Sequence, residues 1–378
     1  MTDIVIAGYT RTPFHFATKG GLARVRGDVL AAAAVKALVA RTGIDPESLE
    51  DLILGNAFPE GEQGFNMARL VVLMAGLPLN VGGVTINRFC GSSMQSIHNA
   101  AGMIKMGAGE AYIAAGVETM SRVPMGGFNP MPNPELFATL PGAYMGMGET
   151  AENVAQRYQI GREAMEELAV ASHAKATAAQ AAGKLADEIV PIETPAGPLD
   201  QDGTIRPETN LAGLAGLKPA FSKDGLVTAG TSSPLTDGAA ATLVCSQDYA
   251  ARNNLEVLAQ IKSIAISGCD PTVMGLGPIG ATRKALDRAG LKIDDIDIIE
   301  LNEAFASQAL ACMTDLSIDP AKVNLDGGAL ALGHPLGATG ARITGKAASL
   351  LKREGKKYAL STQCIGGGQG IATLLEAA

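Results

Sequence analysis

Along this chain, short runs rich in β-branched residues alternate with longer alanine-rich stretches whose apolar positions recur at helical spacing. The first pattern predicts buried strands, and the second predicts helices packed against them. Ile4-Val5-Ile6-Ala7-Gly8 reads as the first strand. Lys36-Ala37-Leu38, Gly43-Ile44-Asp45 and Leu52-Ile53-Leu54-Gly55-Asn56-Ala57-Phe58 then read as helix, turn and, after an acidic linker, buried strand. The same order returns in Lys284-Ala285-Leu286, Gly290-Leu291 and Ile298-Ile299-Glu300-Leu301-Asn302-Glu303-Ala304-Phe305. A diluted internal repeat of this kind predicts an α/β protein of two similar halves, with helices layered on a mostly parallel sheet.

The texture changes between the copies. Pro124, Pro130, Pro132, Pro134 and Pro141 exclude a continuous helix from Pro124 to Gly142. Asn153 to Lys184 is alanine-rich and helical, Pro195 to Pro219 is irregular, and an apolar strand at Ala240 to Cys245 returns to the core. The expected organisation is a first half over 1–120, completed by 234–255, an inserted loop domain over 121–233, and a second half over 256–378. Such an insertion suits a lid and ligand cradle, because loops on a rigid scaffold commonly carry binding.

Composition narrows the function. With 378 residues and 47% hydrophobic content, the chain can bury a large core in more than one structural unit. A net charge of −8 argues against nucleic-acid binding through a basic surface, so an anionic ligand must meet a local basic patch. Five cysteines, an odd number, argue against a disulfide framework and for a reducing compartment. Met1-Thr2-Asp3 leads straight into the first strand, and Leu375-Glu376-Ala377-Ala378 carries no peroxisomal address, so a cytoplasmic location is expected. No apolar run reaches ~18 residues without interruption, which excludes a membrane-spanning helix. No His, Cys or carboxylate cluster has ligand spacing, so no metal is expected.

Three segments carry reactive side chains. Cys90, in Asn87-Arg88-Phe89-Cys90-Gly91-Ser92-Ser93-Met94, follows the strand-like Val84-Thr85-Ile86 and opens a long helix. Aligned N–H groups at a helix start favour a thiolate. An inert buried thiol is the alternative, and it suits Cys245 and Cys312 in their apolar stretches. His334 lies in Gly327-Gly328-Ala329-Leu330-Ala331-Leu332-Gly333-His334-Pro335-Leu336-Gly337. A neutral imidazole near a thiol can take its proton, whereas an isolated Gly-His-Pro equally suits a packing histidine. His98 and His173 lie on predicted helices as packing or surface residues, and His15 stays unassigned. Cys364 follows the strand Tyr358 to Thr362 and precedes Gly366-Gly367-Gly368, whose N–H groups can approach a ligand oxygen or simply form a tight turn. Asn56 precedes Cys90 by nearly the stretch that separates Asn302 from His334, which predicts matching places in the two halves and a site at their junction.

In this order, the segments around Cys90, Asn302-Glu303-Ala304-Phe305, His334 and Cys364 resemble the thiolase family, and the resemblance runs from the first strand to the last residue. It implies a thiolase-like layered fold of two α/β halves with an inserted loop domain. It also implies that Cys90 forms an acyl-enzyme, His334 activates it, and Cys364 shuttles the α-proton of a second thioester. Asn302, through a water, and His334 would form one oxyanion hole. The N–H groups of Cys90 and Gly366 would form the other, with Glu303 behind the site. Coenzyme A enters as a substrate, without a tightly bound cofactor. Arg206, Phe221 and Ser233 match family positions that contact it, while Met147, Ala304 and Phe305 match those lining the pantetheine channel. Lys218 and Lys223 could meet the phosphates. The resemblance further implies a homodimer or homotetramer acting on acyl-CoA and leaves room for a hydratase-dehydrogenase partner subunit.

Rival signals are weaker. Gly275-Leu276-Gly277-Pro278-Ile279-Gly280 fits a dinucleotide fingerprint, but the preceding strand, Ile261 to Ile266, ends too early for the tight turn, and Pro278 reads as a helix opener. A nicotinamide-dependent dehydrogenase is thus the remote enzyme alternative. Gly340 to Ala347 mimics a phosphate loop without its Ser or Thr. A non-catalytic acyl-CoA-binding module is disfavoured by the intact reactive residues, and Cys364 separates this pattern from condensing enzymes that use carrier proteins. Acetoacetyl-specific thiolases commonly carry a histidine where Gly146 precedes Met147-Gly148-Glu149-Thr150-Ala151-Glu152-Asn153. With Met125, Phe128, Met131, Leu136, Phe137 and Met145 available to an adaptable acyl pocket, the expectation is degradative cleavage of 3-ketoacyl-CoA, with an acetoacetyl-CoA thiolase as the alternative.

Overall fold

The computed structural model describes residues 3–378, so the expectation resting on Met1 and Thr2 lies outside it. In the first half, strands β1 (Ile4–Arg11), β2 (His15–Phe16), β3 (Asp51–Gly55), β4 (Gly82–Ile86) and β5 (Ala111–Thr119) alternate with helices α1 (Gly27–Thr42), α2 (Met67–Met74) and α3 (Ser92–Lys105). Residues 120–235 add no strand to the main sheet; they hold α4 (Pro134–Thr139), α5 (Met147–Tyr158), α6 (Arg162–Ala181), the small hairpin β6 (Ile192–Thr194) and β7 (Gly197–Leu199), and α7 (Leu211–Ala215). The chain then returns through β8 (Thr236–Ser246) and α8 (Gln247–Arg252). The second half comprises β9 (Ala259–Gly268), α9 (Gly277–Ala289), β10 (Ile298–Leu301), α10 (Ala306–Leu316), α11 (Ala329–Leu332), α12 (Leu336–Glu354), β11 (Tyr358–Ile365) and β12 (Gln369–Glu376).

The main sheet runs β10-β11-β12-β9-β1-β8-β5-β3-β4, with β2 added beside β8. Four strands of each half match, β3-β5-β8-β1 with β10-β11-β12-β9, while β2 and β4 belong to the first half alone. In the first, β3 and β5 are parallel while β8 is antiparallel to both β5 and β1. In the second, β10 and β11 are parallel while β12 is antiparallel to both β11 and β9. A short antiparallel pairing of β1 with β9 joins them. Antiparallel pairings therefore outnumber the parallel ones, contrary to the expected mostly parallel sheet. These strands are apolar on both faces, and such a run reads the same whichever way its neighbour points.

Alternate residues explain the double covering. Val5 and Ala7 pack in the cluster of α1, whereas Ile4 packs with Ile97, Ala100 and Ile104 of α3. Helix α3 touches strands of both halves, as does α12, so the sheet curls around these two helices as a buried middle layer. Their close approach depends on glycine. A Cβ on Gly116 would lie 2.0 Å from the Gly337 carbonyl oxygen, and one on Gly340 would lie 2.2 Å from the Met94 nitrogen. Lys346 of α12, in the stretch that mimics a phosphate loop, is buried and paired with Glu188 and Asp326 at 3.0 and 2.7 Å.

Candidate active site

Cys90 sits in a single 3-10 turn, Phe89–Gly91, that runs into α3. Phe89 adopts φ 43, a left-handed conformation costly for an aromatic residue and held by its surroundings. Asn87 Oδ1 accepts from the Phe89 N–H at 2.8 Å, and Ser92 Oγ accepts from the Arg88 N–H at 2.9 Å while donating to the Phe89 carbonyl at 2.6 Å. Gln363 of β11 donates its side-chain N–H to the Cys90 carbonyl. Cys90 is buried and belongs to a small apolar cluster with Ala17, Ala57, Met120 and Leu336.

This burial overturns the expected thiolate. Desolvation pushes the Cys90 thiol up to about 11; hydrogen bonds from the backbone of Gly366 and of Cys90 itself pull the other way, and Glu118 adds a smaller upward push. At rest Cys90 is a thiol that needs a base. Gly366 is one of three glycines between β11 and β12, and only Gly367 and Gly368, at φ 78 and 85, use glycine for a left-handed backbone. The turn role therefore falls to Gly367 and Gly368, while the Gly366 backbone faces the Cys90 sulfur.

His334 lies between α11 and α12, is 4% exposed, and is gripped on three sides. Its backbone N–H donates to Thr236 Oγ1 at 3.0 Å, Nδ1 lies 2.6 Å from Thr339 Oγ1, and Nε2 lies 3.4 Å from Asn302 Nδ2. The Thr339 hydroxyl donates to the Pro335 carbonyl at 3.3 Å, so its oxygen accepts the hydrogen bond from Nδ1–H and leaves the Nε2 lone pair as the basic position. Burial, with Arg342 adding to it, lowers the pKa to about 3 and keeps the ring neutral.

Asn302 follows β10; its N–H donates to the Thr362 carbonyl at 3.0 Å, and its Oδ1 is buried without a protein partner. Glu303 accepts from Ser172 Oγ at 2.7 Å, Asn324 Nδ2 at 2.7 Å and the Leu330 N–H at 3.1 Å, which ties β10 to the segment leading into His334. Cys364 is buried at the end of β11, and desolvation followed by the nearby Cys90 raises its pKa well above the ordinary range. Motif reading missed Thr236, Thr339 and Gln363. Only Thr339 left a local trace, a hydroxyl in the helix turn after His334.

Of the expected coenzyme A contacts, five form one wall. Met147, Ala304 and Phe305 share a cluster with Cys364, the Ser233 N–H donates to the Ala304 carbonyl at 2.9 Å, and Phe221 meets Phe305 edge-on at 5.8 Å. Arg206 stands in other company: its guanidinium lies 5.3 Å from the Phe16 ring centre and its backbone N–H donates to His173 Nδ1 at 3.1 Å. Lys218 and Lys223 are exposed. Met125, Phe128, Met131, Leu136 and Phe137 are exposed as well, instead of enclosing a pocket within this chain. His98 and His173 are buried.

The dinucleotide fingerprint proves to be a packing device. Gly277 presses on β12, where a Cβ would lie 2.0 Å from the Gln369 oxygen, and a Cβ on Gly280 would lie 2.6 Å from Ser267 Oγ. Among the described residues no group of His, Cys, Asp and Glu is placed to hold a metal, and no helix is long and apolar enough to cross a membrane.

Comparison with known proteins agrees with this geometry. A 3-ketoacyl-CoA thiolase of Bacillus subtilis is 46% identical, with all of both chains covered, and one of Saccharophagus degradans is 47% identical over 99% of this chain and 98% of its own. The crystal structure of human mitochondrial 3-ketoacyl-CoA thiolase in complex with CoA superposes with a TM-score of 0.92 at 38% identity, covering 100% of this chain and 98% of that one. The family models for the thiolase N-terminal and C-terminal domains match residues 4–248 and 255–377, so the chain belongs to the thiolase family.

Proposed function

We propose that this chain is a 3-ketoacyl-CoA thiolase, an acyltransferase that cleaves 3-ketoacyl-CoA with coenzyme A to acetyl-CoA and a shortened acyl-CoA. The observation that carries the reading is the meeting of Cys90, the Gly366 backbone and Cys364, together with a neutral His334 whose unprotonated Nε2 faces the Asn302 amide. His334 takes the Cys90 proton, and the sulfur attacks the 3-keto carbon. The bond between C2 and C3 then breaks, leaving an acyl group on Cys90 and an acetyl-CoA enolate that takes a proton from Cys364. After acetyl-CoA leaves, the Cys364 thiolate takes the proton of an incoming coenzyme A thiol, whose sulfur displaces Cys90 from the acyl group. Cys90 recovers its proton from His334. The N–H groups of Cys90 and Gly366 receive one developing oxyanion; Asn302, through a water, and His334 receive the other, each donor being worth about 3 kcal/mol. Glu303 fixes the His334 segment from behind.

In this reading Ser233, Phe221, Met147, Ala304 and Phe305 line the path of coenzyme A, and Arg206 meets its nucleotide end. Residues 121–233 act as the inserted loop domain, between a half formed by 1–120 with 234–255 and a half formed by 256–378. Gly146, in place of a histidine, supports acyl chains longer than acetoacetyl. The exposed apolar residues between Met125 and Leu140 support self-association as a homodimer or homotetramer. Unpaired thiols among the described residues support a cytoplasmic location, and the cleavage supports a role in fatty acid β-oxidation, with a hydratase-dehydrogenase subunit as the partner that would supply substrate.

The test is coenzyme-A-dependent loss of acetoacetyl-CoA and of a long-chain 3-ketoacyl-CoA, compared with Cys90→Ala. Cleavage of both by the native protein alone is expected. Cleavage of acetoacetyl-CoA alone would favour the acetoacetyl-specific type, and inactivity of a folded protein toward both would overturn the reading.

A further inference from the structure

Glu118, at the end of β5, is fully buried, and no salt bridge reaches its carboxylate among the described residues. It is held by N–H groups alone. Oε2 accepts from the backbone of Ala57 at 2.9 Å and of Gly337 at 3.0 Å. Oε1 accepts from Gln63 Nε2 at 2.9 Å, and from Asn56 Nδ2 and the Phe58 N–H at 3.3 Å each. Burying a carboxylate is costly, and here burial outweighs these donors and raises its pKa. A group kept under that penalty points to a task.

The place of Glu118 is informative. Gly55 lies opposite Gly116 in the pairing of β3 with β5, and Leu301 lies opposite Thr362 in the pairing of β10 with β11. Asn56 and Asn302 come next on the first strand of each pair. Two residues beyond Gly116 is Glu118, and two beyond Thr362 is Cys364. The first half thus carries a carboxylate where the second carries its reactive thiol.

From this carboxylate, contacts run to both reactive segments. Ala57 accepts from Asn87 Nδ2 at 2.9 Å, and Asn87 holds the Phe89 N–H in the turn that presents Cys90. Gly337 lies in the first turn of α12, just after His334. The oxygen that accepts from both Ala57 and Gly337 therefore joins the His334 helix to the Cys90 turn by way of Ala57 and Asn87. We propose that Glu118 is a positioning residue for the thiolase site, fixing the separation of Cys90 and His334 and adding a negative charge beside the thiol. This rests on the reading of the site given above.

Glu118→Gln is isosteric, yet only one of its terminal atoms accepts, so one set of donors is stranded in either orientation. Glu118→Asp keeps the charge but is a methylene too short to reach both sides. The measurements are folding by circular dichroism, kcat and KM for 3-ketoacyl-CoA cleavage, and the pH dependence of Cys90 alkylation by iodoacetamide. The titratable groups that act on that thiol are Glu118 from β5 and Cys364 from β11. Both variants are expected to lose kcat by about 100-fold, as misplacement of reacting groups does, with little change in KM. The alkylation midpoint should fall in Glu118→Gln and stay near the native value in Glu118→Asp. Near-native kcat in either folded variant, or an unchanged midpoint in Glu118→Gln, would overturn the proposal; if Glu118→Gln does not fold, Glu118→Asp decides. A native protein without cleavage would refute the thiolase reading, while the alkylation profiles would still judge the hold of Glu118 on Cys90.

Discussion

Thr339→Val is the sharpest test of how His334 is made a base. The substitution keeps the shape of a fully buried side chain and removes only the hydroxyl 2.6 Å from His334 Nδ1. The imidazole then faces two poor choices. If it keeps its proton on Nδ1, a buried N–H is stranded at a cost of about 1–3 kcal/mol. If the proton moves to Nε2, the ring can donate to Asn302 Oδ1, which has no protein partner, once that amide turns over. The ring is then blocked at the position that must accept the Cys90 proton. Losing the preference for the competent tautomer by that amount lowers kcat by about 10- to 100-fold, since 1.36 kcal/mol is tenfold. KM should change little, because Thr339 is buried behind the ring on the side away from Nε2. The assay is steady-state cleavage of 3-ketoacyl-CoA, with urea unfolding alongside and Thr339→Ser, which retains the hydroxyl, as the control. A Thr339→Val enzyme with native kcat and native stability would refute the assigned tautomer.

Acid should destabilise the fold well before ordinary carboxylates titrate. Burial holds His334 and His98 down to about 3 and His173 to about 4, against 6.5 in the unfolded chain. Glu300, desolvated despite Arg342, is raised to about 7 from 4.5. As pH falls from 6.5 to 4.5, the unfolded chain binds the three imidazole protons that the folded one refuses, while the folded chain alone holds the Glu300 proton. The net uptake on unfolding is two protons, so these groups should reduce stability by roughly 2.7 kcal/mol per pH unit; urea titrations showing flat or rising stability over that window would contradict this. Gly116→Ala should cost about 1–3 kcal/mol or more of stability and so lower the urea midpoint, because its Cβ would meet the Gly337 backbone oxygen, which cannot rotate away, at 2.0 Å; a native midpoint would show that α12 gives way.

Much of the site was legible before its geometry, because chemistry and local backbone demands are written residue by residue. Cys90 at a helix start and Cys364 before a glycine turn were visible from neighbouring residues, each with a structural alternative, whereas Asn302 at a strand end stood out only through the resemblance to the thiolase family. The internal repeat likewise exposed the two halves, since each must bury the same kind of strand under the same kind of helix. Long-range facts were not written locally. Strand direction was misjudged because strands covered on both faces carry no orientation signal. The Cys90 thiolate was misjudged because the burial that overrides a helix start is set by the packing of Cys90 with Ala17, Ala57, Met120 and Leu336, which come from four separate stretches of the chain. Thr236, Thr339, Gln363 and Glu118 acquire their tasks only when the sheet closes around α3 and α12. A hydrogen bond depends on where atoms meet, and that meeting is decided by the tertiary fold, whereas the capacity to donate, accept or attack belongs to the residue itself.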